Sequence, residues 1–539
     1  MCNFKRSNLI TCLMATAFIA ILQILGRFLD VRSGDASISL KTNILEGLLF
    51  FVLCFASIIC FWKFGKKILA TKPLTNRFFF KTWFWQSVIL ISWLPCFLAY
   101  FPGIYSYDGE PQLIQYTTGK LDNHHPILHT LILGECYDLG QWFKANGINI
   151  DGLAFYTVIQ VLLLSFALAY VLEFLVNKKV GSIFVILSAM YICLFPTMPL
   201  MAISSTKDTF YTAFFILFIT KFLRITETQR KSEYISLFVF SAGCMFFRRN
   251  GYYVIIIFVL YMAVLCVIKK KKISRYLVNV TIVLVISVFF FTITEKAIIS
   301  FTGAARGESA EALSIPLQQM ARAFKNDDNA IRAKYGERLT SYVSETGLCN
   351  YRPLITDGVK QYFNNEHFAE DKAGFIKVYL ELGKEYPGPY ALAVLYLTKG
   401  DWDIMDTSYC KVYKDWWRDR TGYLITDATP VFAGDFVTKS DLLPSVRSFY
   451  ERFATECSFM SFIPFKIICA PAFYVFLSIF GAIVLVMEKK RRFYPVAIVM
   501  ILYLLTVLAG PCVLIRYIFP LMAVMPLFAW CVLQDELVL

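Results

Sequence analysis

A succession of long apolar runs constrains this chain more than any other feature. A helix needs roughly 17–25 mostly apolar residues to cross the hydrocarbon core. Twelve runs are candidates, the seventh falling slightly short: 9–26, 44–62, 83–101, 153–176, 181–198, 209–225, 233–247, 251–268, 277–295, 464–487, 494–510 and 514–532. In lipid every backbone polar group must be satisfied internally, so such runs fold as helices. The chain is 57% hydrophobic and 17% charged, whereas a soluble domain is nearer 45–50% and about 25%. The fold class expected is an all-α polytopic membrane protein of about 12 transmembrane helices. The first run follows Lys5-Arg6 with no small-residue cleavage site, so it reads as an uncleaved span.

Lys and Arg set the orientation. They cluster at Lys63–Lys81, Lys178-Lys179, Arg230-Lys231, Lys269–Arg275 and Lys489–Arg492. Each cluster lies an even number of spans from the N-terminus, so all five fall on one side. By the positive-inside rule that side is the cytoplasm, and both termini share it. The net charge of +14 thereby has a topological origin. With no RNA-recognition or zinc-finger pattern either, no nucleic-acid partner is expected. A cell-membrane, multi-pass location follows.

The long segments fall on the other side. Residues 1–295 form a nine-span membrane domain with an external loop at 102–152. Residues 296–463 are long enough for an external, mainly helical domain inserted before the last three spans at 464–539. Within it, Pro316–Lys325 and Glu370–Tyr386 read as helices, and Trp402, Trp416 and Trp417 stand out. The cytoplasmic loops are too short for a nucleotide-binding βαβ unit, and no P-loop or G-x-G-x-x-G occurs. Of 15 cysteines, Cys136, Cys349, Cys410 and Cys457 lie outside the runs, where a disulfide is possible without a pairing being fixed.

Chemistry-bearing residues gather on the external side. The loop after the third span carries Asp108, Glu110 and Gln112, then His124, His125 and His129, three of the chain's four histidines. Carboxylates at a membrane surface are costly unless used. Asp108 reads as a general base assisted by Glu110 or a histidine, against a solvated turn. The histidines suit hydrogen bonding to acceptor or phosphate; His125 and His129 also have zinc-like spacing, without a third ligand. Lys207 and Asp208 open the sixth span, where a helix N-terminus suits phosphate, or Asp208 simply caps it. Arg248 and Arg249 sit externally against the charge bias, and Arg forks match phosphate oxygens. Arg516 near the end of the last span either snorkels or adds a phosphate contact. Gln318 and Arg322 share one face of a helix after span nine. Asp401-Trp402-Asp403 has a D-x-D form, but no metal or other cofactor is assigned, and divalent metal use stays open.

A carboxylate base beside cations that could hold a phosphate leaving group suits sugar transfer from a polyprenyl phosphate. The stretches Pro102-Gly-x-x-Ser-x-Asp108-Gly-x-x-Gln112, His124-His125-Pro126, Thr206-Lys207-Asp208-Thr209, Phe247-Arg248-Arg249-Asn250-Gly251 and Ser314-Ile-Pro-Leu-Gln-Gln319 resemble an uncharacterised family of bacterial multi-spanning proteins related to the GT-C class. That class comprises polyprenyl-phosphate-sugar glycosyltransferases. The resemblance implies an inverting transfer to a cell-envelope glycan or lipid acceptor on the external face. It implies Asp108, with Glu110, as catalytic carboxylates; Lys207, Arg248, Arg249 and Arg516 on the donor phosphate; and Gln112, His124, His125, His129, Asp208, Gln318 and Arg322 about the substrates. The Asp-Gly-Glu spacing departs from a plain acidic pair and leaves Glu110 without a firm role. A flippase or transporter, or a polymerase or ligase of lipid-linked glycans, is the alternative.

Overall fold

The computed structural model describes residues 6–33, 39–268, 275–305, 307, 309–414, 421–426 and 442–534. Lys5, Trp416, Trp417 and the run Lys269–Lys272 lie outside the described residues. The described chain is helical, with only isolated β-bridges.

The first half runs α1 Arg6–Ser33, α2 Leu40–Leu69, α3 Thr82–Ala99, α4 Gly109–Thr118, α5 Ile127–Ala145, α6 Gly152–Asn177, α7 Ser182–Leu194, α8 Thr197–Ile203, α9 Lys207–Thr228, α10 Lys231–Phe247, α11 Arg249–Ile268 and α12 Arg275–Thr302. Among the described residues nine helices are long and apolar enough to cross a membrane, and two bent pairs raise this to eleven. The run expected at 181–198 breaks into α7 and α8 at 51°, where Pro196 cannot donate to a continuing helix. The seventh run, 233–247, is the 17-residue α10, about 25 Å long and just short of a typical core. It still runs antiparallel to α9 for that helix's whole length: Lys231 follows the end of α9, and Arg248 returns to its start to meet Asp208.

Beyond α12, α13 Ser314–Asn326, α14 Asp328–Thr340, α15 Lys372–Glu385 and α16 Pro387–Leu397 enclose a second core of Leu317, Met320, Phe324, Leu339, Val378 and Leu382. Two helices expected from sequence, at 316–325 and 370–386, are α13 and α15. Tyr409, Tyr423 and Phe453 instead pack into the main core. α17 Pro444–Ala454 leads to the bent pair α18 Ile463–Cys469 and α19 Pro471–Met487 (68°), then α20 Tyr494–Leu508 and α21 Ile515–Leu533. Cys136, Cys349, Cys410 and Cys457 are free thiols.

Two ends of the bundle differ in charge. At one, Lys178 and Arg492 both pair with Glu227, Arg224 pairs with Glu173, and the Ser182 amide bonds to Lys72 O at 3.0 Å. Loops that sequence assigned to one side therefore meet. At the other end, α5 crosses α6 where Gly140 lies against Gly152; a Cβ on Gly140 would approach the Gly152 nitrogen to 2.3 Å. That close crossing holds the 102–152 loop on the bundle. α9 sits at the centre, packed against α6, α10 and α21, so the starts of α9, α11 and α21 converge with that loop.

Candidate functional site

The site is built where these helix ends meet. Ile104 N donates to Ile203 O at 3.0 Å and Ser205 N to Ile104 O at 2.8 Å, which stitches the loop after α3 to the turn before α9. Tyr107 follows in the left-handed region at φ 49°, a conformation costly for an aromatic residue and sustained only by its surroundings. Its ring is buried with Ile355, Val412, Ile425, Cys512 and Leu514. The next residue, Asp108, turns into the bundle.

One oxygen of Asp108 gathers the cations. Its Oδ2 accepts from Arg516 Nη1 at 2.6 Å and from Lys207 Nζ at 2.9 Å, with His125 Nδ1 at 3.8 Å. Lys207 also donates to His125 Nδ1 at 2.7 Å. Burial pushes the Asp108 carboxyl up, but Arg516 and then Lys207 outweigh it and hold it well below the usual carboxylate range. Burial and then Lys207 push His125 well down, so its Nδ1 is the acceptor. Behind this group, Asp208 is fully buried; it pairs with Arg248 and lies 3.6 Å from Arg516 Nη1. Thr206 caps α9 and donates to Asp208 at 3.1 Å. Arg516 and Arg248 also lie over aromatic faces, of Tyr107 at 4.5 Å and Tyr517 at 4.9 Å respectively.

A cavity of about 630 Å³ opens against these residues, a size ordinary for a ligand site. Asp108, Lys207, Arg248, Arg249, Arg516, His124 and His125 line it. Sequence reasoning singled out all seven. Its far wall comes from outside the bundle: Glu311 and Lys360 pair at 2.9 Å, and His124 Nδ1 is 3.7 Å from Glu311. Asp357, 2.8 Å from Lys360, belongs to the same wall. The bonds Thr356 N to Pro511 O at 3.0 Å and Asn123 N to Ala305 O at 2.8 Å hold that wall to the bundle. Glu311, Asp357 and Lys360 were missed. The one available signal was that Glu311 lies three residues before Ser314-Ile-Pro-Leu-Gln-Gln, a motif whose Gln318, like Arg322 after it, does not line the cavity.

Six expected site residues do not line the cavity. Glu110 lies in the first turn of α4 and is buried; two helical steps from Asp108 rotate it by about 200°. Gln112 and His129 sit in a sealed polar chain. His129 Nδ1 meets Gln112 Oε1 at 3.0 Å, its Nε2 meets Tyr156 OH at 2.7 Å, and Tyr156 donates to Gln160 at 2.8 Å. Gln160 then donates to Ser204 O at 2.7 Å. This chain ties α4, α5 and α6 to the turn before α9, and burial pushes His129 down to about 3. With both ring nitrogens occupied, His129 cannot share a zinc ion with His125. Asp208 faces the arginines from behind. Gln318 bonds to Arg352 O, and Arg322 donates to Tyr351 OH at 2.6 Å, within the second core. Among the described residues no group of three or more His, Cys, Asp or Glu is placed to hold a metal. In the D-x-D, Lys399 Nζ lies 3.7 Å from Asp403 and fills the place a cation would take.

Arg249 deserves its own place in this geometry: it donates to Asn123 O and ties α11 to the histidine loop. The arrangement can hold an anion against up to four cationic side chains and present one carboxylate to it. No curated protein and no solved structure matches the chain. A family model described as a family of unknown function, DUF6020, matches residues 112–536. Lys207, Arg248, Arg249 and Arg516 fall within the match and Asp108 just before it. Because the match spans most of the chain, the protein belongs to that family.

Proposed function

We propose that this protein is a membrane glycosyltransferase that moves a sugar from a polyprenyl-phosphate donor to a cell-envelope glycan or lipid acceptor. The observation that carries the reading is the Asp108 carboxylate held between Lys207 and Arg516 on the wall of the 630 Å³ cavity. A glycosyl phosphate needs both elements within one ligand's length: a base for the acceptor hydroxyl and cations for the departing phosphate. The acceptor oxygen attacks the anomeric carbon while its proton passes to Asp108. The bond from that carbon to the phosphate oxygen breaks, and the phosphate keeps the electron pair. A single displacement inverts the anomeric centre.

Orientation supports the same reading. The opposite end of the bundle carries Lys178, Arg492 and Lys490, which the positive-inside rule assigns to the cytoplasm. The cavity then faces outward, where lipid-linked sugars rather than nucleotide sugars are the donors. The test is transfer by the purified full-length protein in lipid, with a panel of radiolabelled polyprenyl-phosphate sugars and envelope acceptors. Transfer by the wild type and its loss in Asp108→Asn are expected. No transfer from any donor, together with unchanged surface glycan in cells carrying Asp108→Asn, would overturn the reading.

A further inference from the structure

The residue assigned as base and the cations assigned to the phosphate are already bound to each other. Arg516 Nη1 and Lys207 Nζ both donate to the same Asp108 oxygen, at 2.6 and 2.9 Å. A carboxylate so held is a poor base, because catalytic efficiency falls as its basicity drops far below the working pH. Each cation also spends on Asp108 a donor that a phosphate would use. The two assignments are compatible only if they hold at different moments.

The geometry supplies the means. Each cation has a second anchor that does not involve Asp108: Lys207 bonds to His125 Nδ1 at 2.7 Å, and Arg516 lies 3.6 Å from Asp208. Asp208 is buried, does not line the cavity, and also holds Arg248. Lys207 and Arg516 can therefore release Asp108 and remain in place.

We infer that the donor phosphate opens this latch: its oxygens take over Lys207 and Arg516, and Asp108 is freed to act as base only once the donor is bound. The inference rests on the glycosyl-transfer reading for the word donor, but the competition itself requires only a phosphate. Losing two cationic partners and gaining an anionic neighbour both raise the basicity of Asp108. Binding is thus ordered, with donor before acceptor deprotonation. In the step that follows, the acceptor O–H bond breaks and its proton goes to Asp108. The acceptor oxygen bonds to the anomeric carbon, and the lipid phosphate leaves with the electron pair, held by Lys207 and Arg516.

The consequence is counter-intuitive. Asp108→Asn removes the competitor, so a variant expected to be inactive should bind phosphate more tightly than the wild type. The full-length protein in lipid nanodiscs is titrated with geranyl phosphate and, separately, with inorganic phosphate. About tenfold tighter binding of geranyl phosphate by Asp108→Asn is expected, a change of ~1.4 kcal/mol. Tightening confined to geranyl phosphate assigns the lipid headgroup; equal tightening for both supports the latch with a site indifferent to the lipid. Unchanged or weaker binding of both probes would overturn it. Asp108→Ser repeats the measurement if Asp108→Asn does not fold, as judged by its thermal transition. Transfer assayed in parallel separates the two ideas. Tighter binding without wild-type transfer sinks the transferase and keeps the latch; transfer with unaltered affinity sinks the latch alone.

Discussion

Two buried charge clusters in this protein invert each other. At the cavity, one carboxylate, Asp108, serves two cations, Arg516 at 2.6 Å and Lys207 at 2.9 Å. At the junction of α1 with residues 399–406, one cation, Lys399, serves three carboxylates: Asp406 at 3.0 Å, Asp403 at 3.7 Å, and Asp30. The first lines an open cavity and has more positive charge than it needs internally. The second lines none of it and is enclosed. Surplus cations beside a cavity await an anion; a lysine enclosed by carboxylates holds two segments together. Ionic residues alone do not mark a site, whereas a charge imbalance facing open volume does.

Substitutions that separate the clusters test this contrast. Asp108→Asn is expected to lower transfer by about 10²–10⁴-fold, while Asp403→Asn leaves the rate within a few-fold. Equal losses in the radiolabel assay would erase the distinction. Next in size, Arg516→Met and Lys207→Met, which under the proposed transfer each remove a donor to the leaving phosphate, are expected to cost about 10²–10³ in kcat. A change confined to KM would reassign them to ground-state binding.

Lys399→Met acts on stability instead. It leaves Asp30 and Asp406 without their cation, Asp406 keeping only Ser408, and breaking a buried pair costs about 3–5 kcal/mol. Thermal unfolding of the purified variant should show it, with transfer per folded molecule unchanged. A normal melting temperature would mean that the cluster is not structural.

The seven cavity residues found from sequence were legible for a physical reason. Charged and histidine side chains at the ends of apolar runs are conspicuous, and counting spans puts them on one side. Arg248 and Arg249 stood out because they break the charge bias. What sequence could not show is direction at short range. Glu110 is two residues from Asp108 yet turns away, and Gln112 and His129 look ionic or polar in the same way while sealing a hydrogen-bond chain to Tyr156. Gln318 and Arg322 were read by their helix face, and that face packs inward. Glu311, Asp357 and Lys360 come from a soluble-looking segment where charge is ordinary, so only the fold brings them to the cavity. The spans were legible as apolar runs. The breaks at Pro196 and before Pro471 were visible only as prolines, and the length of each piece depended on packing.

The smallest effect distinguishes the clusters by pH. Burial, with Asp406 adding to it, pushes Asp401 up to about 8, and burial pushes Asp403 up to about 7. Asp401 Oδ1 has no hydrogen-bond partner among the described residues, so its neutral form is the one the fold accommodates. An unfolded aspartate titrates near ~3.9. The folded state therefore binds this proton more tightly, and the stability gained is complete below about pH 4 and lost as pH rises through about 8. Asp108 has the opposite sign: its depressed value contributes stability above the ordinary carboxylate range, lost only as pH falls through that low value. Between pH 5 and 8.5 the melting temperature should fall by a few degrees from the Asp401 contribution, and Asp401→Asn should flatten that slope. Asp108→Asn should leave it in place, because Asp108 stays ionised throughout this window. If Asp401→Asn retains the wild-type slope, the enclosed cluster does not titrate there. The contrast between the two sites would then rest on cavity access alone.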